Sequence, residues 1–163
     1  MTVIGILGKQ SRETVKCLRE ILDSAGTLSS FLIIDLEQKA EKSAVDILVA
    51  AGDSVIAQKF IEESQACRFF IMNPDHKEIL AYAANSRSLL ITYGFNNKVC
   101  VTASSVMENE IQICIQRDLP TLSDNSIEQQ EFGVSADTEE YSPENLLAAI
   151  TAALVADVQV LSF

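Results

Sequence analysis

The chain has 163 residues and a mass of 17.8 kDa, enough for one domain or a domain with a small appendage. Its 12 Lys and Arg against 23 Asp and Glu leave a formal charge of −11, which argues against gripping nucleic-acid phosphates or docking on an anionic membrane. An apolar content of 48% supports a real core and excludes a largely disordered chain.

No apolar run approaches the roughly 20 residues of a membrane helix. Met1 to Gly5 has no basic leader region, so the expectation is a cytoplasmic protein without a signal peptide. Cys17, Cys67, Cys100 and Cys114 are too far apart for a zinc ribbon or a redox pair, and each sits in an apolar stretch. They read as reduced, buried thiols. His76 is the single histidine, which excludes metal sites built from several histidines. No metal and no cofactor are expected.

Thr2 to Leu7 reads as a buried strand ending at Gly8. Ser11 to Ala25 follows as a helix with Val15, Leu18, Ile21, Leu22 and Ala25 on one face, stopped by Gly26. Phe31 to Leu36 is the next strand, Glu37 to Ser43 a short helix or loop, and Val45 to Ala50 the third apolar run. Gly52-Asp53-Ser54 is expected to open a helix with Val55, Ile56, Phe60 and Ile61 inward. Arg68 to Met72 is a strand; Asn73-Pro74-Asp75 then starts a helix carrying Ile79, Leu80 and Ala83, before a fifth strand from Ser88 to Thr92. Strands alternating with helices of about a dozen residues imply a parallel sheet covered on both faces, with right-handed crossovers.

After Tyr93-Gly94 the pattern changes. Lys98 to Val106, Glu110 to Arg117 and Ile127 to Ser135 read as strands, with hairpin turns expected at Asn96-Asn97 and Glu108-Asn109. Asp118 to Asn125 reads as a loop, and Ala136 to Tyr141 as acidic and exposed. Ser142-Pro143-Glu144 combines an N-cap, a first-position proline and an acid in the first turn. It opens a helix from Pro143 to Val158 with Leu146, Leu147, Ile150 and Leu154 inward, and Val158 to Phe163 follows as an edge strand able to pair across chains. The expected fold is α/β: a three-layer, Rossmann-like or P-loop-like domain with a mostly parallel sheet and an antiparallel hairpin extension. It occupies 1–163, with the parallel part in 1–95 and the hairpins and closing helix in 96–163.

Three passages carry a family resemblance. Val3-Ile4-Gly5-Ile6-Leu7-Gly8-Lys9-Gln10-Ser11-Arg12-Glu13-Thr14 resembles the V-I-G-I-T-G-T-N-G-K-T-T opening of the central, ATP-binding domain of Mur ligases, with the helix ending at Ser24-Ala25-Gly26. Phe70-Ile71-Met72-Asn73-Pro74-Asp75, then Leu90-Ile91-Thr92-Tyr93-Gly94, is similar to that family's strand-N-x-D-D-helix-strand-Y-G passage. Glu144 to Ile150 resembles its N-x-x-N-x-L-A-A-I helix start. The resemblance implies the fold of an enzyme that joins amino acids to cell-wall precursors with ATP. It covers the central domain only, without the substrate domain and the closing domain that flank it in the family.

The departures fall where the chemistry lies. A phosphate loop needs Gly where backbone meets phosphate, a Lys reaching the phosphates, and a hydroxyl on Mg²⁺. This chain has Ser11, Arg12 and Glu13 in those registers, and only Gly8 and Thr14 fit. Ser11 adds a side chain where none is tolerated if φ is positive. Glu13 brings a carboxylate toward a triphosphate: at about 4 Å, like charges repel by roughly 4 kcal/mol at an effective dielectric near 20, about a thousandfold in affinity. Arg12 is no substitute for the Lys point charge. The family's acidic metal ligands and modified lysine lie between the third strand and the N-x-D-D passage, where this chain has only Gly52 to Ala66. The resemblance with these departures implies a domain that has lost ATP-driven ligation and binds a protein partner or small ligand, possible homo-oligomer included. A component that binds a nucleotide or anionic metabolite, completed by another chain, is the alternative.

The candidate ligand-binding residues are Gly8, Ser11, Arg12, Thr14, Asn73 and Asp75; no catalytic residue is assigned. Each has a structural reading as well. Ser11 reads as the N-cap of the first helix, and Arg12 as a solvated residue pairing with Glu13 or Glu20. Asn73 and Asp75 read as caps of the next helix, although ligands favour that edge of an open α/β sheet. His76 reads as exposed, Tyr93 as packing with its hydroxyl at the rim, and Asp137, Glu139 and Glu140 as a solvated loop.

Overall fold

A computed structural model describes residues 1–39, 44–54, 56–63 and 67–163. Five strands form the parallel sheet: β1 (Thr2–Leu7), β2 (Phe31–Asp35), β3 (Ile47–Ala50), β4 (Phe69–Met72) and β5 (Leu89–Thr92), in the order β2-β1-β3-β4-β5. β1 pairs with β2 through Ile4 and Ile33 and with β3 through Ile4 and Ile47. All neighbouring pairs are parallel, as the near-continuous apolar runs require of strands buried on both faces.

Successive side chains of β1, β3 and β4 enter two separate cores. Ile4, Ile6, Val49, Phe69 and Ile71 point toward α1 (Ser11–Ser24) and the C-terminal helix, packing on Cys17, Leu18, Ile21 and Leu22. Leu7, Leu48, Ala50, Phe70 and Met72 point the other way, toward α2 (Ala57–Glu63) and α3 (Lys77–Ala83). The adjacent phenylalanines 69 and 70 serve opposite layers and are almost fully buried. Each contributes about 1.5–3 kcal/mol relative to exposure.

The antiparallel extension is β6 (Val101–Met107), β7 (Glu110–Ile115) and β10 (Gln130–Ser135), ordered β10-β7-β6. A separate two-stranded ribbon joins β8 (Leu119–Pro120) to β9 (Ser126–Ile127). Ile111, Ile113 and Ile115 alternate inward along β7. The closing helix α4 (Pro143–Val155) is buried at every side chain from Asn145 to Val155. It packs against α1, against β3 and β4 of the parallel sheet, and against β6 of the antiparallel one. Its alanines let two sheets approach one helix from different sides. The expected start holds: Ser142 is the N-cap, and its hydroxyl oxygen accepts from the Asn145 amide at 3.2 Å.

The fold class agrees with the sequence reading; several local expectations do not. α2 starts at Ala57, not at Gly52, because Gly52 has φ +87° and the 52–54 segment turns back toward β1. Val55 and residues 40–43 lie outside the described residues. On α3, Ile79 and Ala83 are buried but Leu80 is exposed. Asn96-Asn97 makes no hairpin, since the chain returns to bridge Tyr93 and Val101 in parallel. The strand expected from Ile127 to Ser135 is broken between β9 and β10, and the loop around Pro120 contains β8. Ala136 and Tyr141 are buried, while Asp137, Glu139 and Glu140 are exposed as expected; the Asp137 carboxylate accepts from the Glu139 amide, and Glu140 pairs with Lys16. Cys17 and Cys67 are buried, whereas Cys100 and Cys114 are only half-buried. The final segment forms one bridge, Ser135 to Ser162, inside its own chain.

α4 ends because Asp157 takes φ +64°. Its carboxylate accepts from the Ser123 amide and hydroxyl, both at 2.8 Å. Burial pushes this carboxyl up, but hydrogen bonds from Thr121 and Ser123 and the Arg68 charge outweigh it, so it lies below its ordinary 3.8. The folded state therefore favours the anion. That contribution is present above pH 3.8 and is lost as pH falls through the lower folded value. Asp157→Asn, which keeps a residue tolerant of positive φ, is expected to lower Tm at pH 7. Thermal melts across pH should show the difference shrinking as pH falls below the ordinary carboxyl value of 3.8.

Candidate functional site

The strand order reverses direction between β1 and β3: β1 leads outward to β2, and the chain then crosses back to β3. In an open α/β sheet this switch point makes a crevice at the carboxyl ends of the strands, where ligands bind. Here the loops that leave β1 and β3 meet one another. Gly8 leaves β1 with φ +110°, and a Cβ built on it would lie 2.1 Å from the carbonyl oxygen of Ala51. Only glycine permits that approach.

Four consecutive amides at this turn are all engaged. Gly8 N–H donates to Glu37 Oε1 at 2.9 Å. The Lys9 amide donates to the Asp53 carbonyl at 2.9 Å, and the Gln10 amide to the Ala51 carbonyl at 3.0 Å. The Ser11 amide donates to the Gly8 carbonyl at 3.0 Å. Such amides are what a phosphate loop offers an anion. A phosphate entering here would have to break contacts that leave buried carbonyls unpaired, at about 1–3 kcal/mol each.

Side chains around the turn are also committed. Thr14 is fully buried, and its hydroxyl donates to the Gln10 carbonyl at 2.9 Å. Ser11 is buried, but as the first residue of α1 rather than its cap; Gln10 occupies the cap position and makes no side-chain cap bond. Arg12 is exposed on the first turn. Glu13 accepts from Asn145 Nδ2 at 2.7 Å, and the same amide nitrogen reaches Gln10 Oε1 at 3.3 Å. Asn145, buried at the start of α4, thus bridges the two helix N-termini.

A second polar group forms at the end of β4. Asn73 is buried and does not cap α3: Oδ1 accepts from the Asp75 amide at 3.0 Å, and Nδ2 donates to Glu144 Oε1 at 3.2 Å. His76 is the cap-position residue of α3, half-buried rather than exposed. Its Nε2 lies 2.5 Å from Glu144 Oε1, and its Nδ1 lies 3.6 Å from Asp53 Oδ1. Asp75 lends its backbone amide and leaves its side chain exposed. Gly94 passes so close that a Cβ would lie 3.0 Å from Asn73 Oδ1. Tyr93 is fully buried rather than at the rim: its hydroxyl donates to the Ala50 carbonyl at 2.8 Å, and burial pushes its phenol up.

Of the sequence candidates, Asn73 contacts Glu144 and Thr14 contacts Asn145, Gly8 and Ser11 are tied to the turn after β1, and Arg12 and Asp75 are exposed. The sequence reading missed Glu37, Asp53 and Gln10, and used Glu144 and Asn145 only as a helix start. Their shared signal is position: each of the first three follows the end of a parallel strand. Among the described residues, no group of three or more His, Cys, Asp or Glu is placed to hold a metal ion. Nor is any helix there long and apolar enough to cross a membrane. A groove of about 390 Å³ lies elsewhere, between Phe132, Leu154, Val158 and Leu161.

No protein-family model and no curated protein matches the chain. Among solved structures, it is similar to a murein peptide ligase from Psychrobacter arcticus 273-4, with a TM-score of 0.71 and 12% identity. The match covers 98% of this chain and 45% of that one, so the chain spans less than half the length of its structural neighbour. The fold is Mur-ligase-like.

The closed turn makes Gly8 the position least able to change. Gly8→Ala must move the β3 exit or flatten φ, and is expected to destabilise by more than about 2 kcal/mol. Urea denaturation of the two proteins reads this directly. A variant as stable as the parent would show that the approach to Ala51 is dispensable.

Proposed function

We propose that this chain is a non-catalytic Mur-ligase-like domain, acting as one unit over residues 1–163, that keeps the scaffold without ATP-driven ligation and works by binding a protein partner or small ligand. One observation supports this most: the amides of Gly8, Lys9, Gln10 and Ser11 already have acceptors inside the chain. The side chains agree with it. Glu13, in the first turn of α1, is held by Asn145, and its negative charge would oppose a triphosphate at that helix start. The hydroxyl of Thr14 is turned to a backbone carbonyl.

Arg12 favours a second reading. It is exposed on the first turn of α1, where the helix dipole and a guanidinium both attract anions. A nucleotide or anionic metabolite resting on Arg12, with another chain supplying the missing groups, would leave the contacts of the turn intact.

Isothermal titration with Mg-ATP separates the readings. No heat at micromolar protein is the expected outcome, and micromolar affinity would overturn the leading one. A thermal-shift series with nucleotides and UDP-sugars, repeated on Arg12→Ala and Asn73→Ala, tests the second. A ligand whose stabilisation disappears in Arg12→Ala supports it, and the absence of any shift removes it.

A further inference from the structure

We propose that Glu37 is a built-in anion: its carboxylate takes the place at the first loop amide that an anionic ligand would need, and in doing so holds the switch-point crevice shut. Glu37 follows β2 and lies at the same sheet edge as the β1 turn. One oxygen, Oε1, accepts from the Gly8 amide at 2.9 Å and also from the Ser54 hydroxyl. The Ser54 oxygen in turn accepts from the Ile56 amide at 3.3 Å. The Glu37 backbone is itself held, its amide donating to Asp35 Oδ1 at 3.2 Å. A single carboxylate oxygen therefore joins the loops that leave β1, β2 and β3.

The chemistry fits an anion rather than any polar side chain. A charged acceptor makes hydrogen bonds roughly twice as strong as a neutral one. A resident carboxylate loses no translational freedom on reaching the amide, whereas a free anion does. An incoming phosphate would therefore meet both an occupied donor and a like charge. Ser54 is buried, so its hydroxyl has little water to turn to if the carboxylate leaves. This inference rests on the reading that the turn is closed to nucleotides, and it adds which group closes it.

Glu37→Ala and Glu37→Gln test it in the full chain, read by hydrogen exchange at the Gly8 amide and by thermal stability. Glu37→Ala should speed Gly8 exchange by about tenfold or more. Sodium formate, a small carboxylate that fits the gap, should restore protection and Tm in that variant and leave the parent unchanged. Glu37→Gln keeps an acceptor oxygen without the charge, so its exchange should lie between the two and ignore formate. Gly8 exchange equal to the parent in either folded variant would overturn the proposal, as would a formate response shared by parent and variant. If Glu37→Ala does not fold, the Glu37→Gln exchange rate decides. Mg-ATP binding to the parent would sink the functional reading instead, whatever Glu37 does.

Discussion

The close approach of the Gly8 backbone to the Ala51 carbonyl sets the character of the whole sheet edge. Two parallel strands that diverge at a switch point ordinarily leave a gap between the loops that follow them. Here the missing Cβ of Gly8 lets the loops meet, and the Lys9 and Gln10 amides then reach Asp53 and Ala51 across the gap. The Mur-ligase-like fold thus carries, at the turn after β1, a short stretch of internal backbone pairing.

The second constraint is α4. A helix buried on every face must be apolar or small throughout, and its alanines allow two sheets and a second helix to pack around it. That position gives its N-terminus leverage. Glu144 and Asn145, the first polar residues after the proline, reach the β4 edge and the start of α1 respectively. The antiparallel half of the chain therefore helps to hold the parallel half at the very edge where ligands bind in related architectures.

The polar residues at that edge form a chain of mutual contacts rather than an open set of donors. Asn73, His76 and Asp53 converge on or near Glu144, while Gln10, Glu13 and Thr14 surround Asn145. Arg12 and Asp75 stand outside this network, exposed to solvent.

Much of the architecture was legible in the residues alone. Apolar runs such as Val45 to Ala50 and Arg68 to Met72 read as buried strands, and Ser142-Pro143-Glu144 as a helix start, because local sterics and capping act over a few residues. Ser11, Arg12 and Glu13 likewise set the turn after β1 apart from the glycine, lysine and hydroxyl of a phosphate loop. The tertiary structure alone decided what fills that turn. Glu37 and Asp53 lie 29 and 44 positions from Gly8 and Lys9 respectively, and no periodicity links residues whose meeting depends on strand order. The same holds for His76, read as exposed and found against Glu144, and for Tyr93, found buried against Ala50: local pattern says which face a side chain takes, and only packing says what waits there.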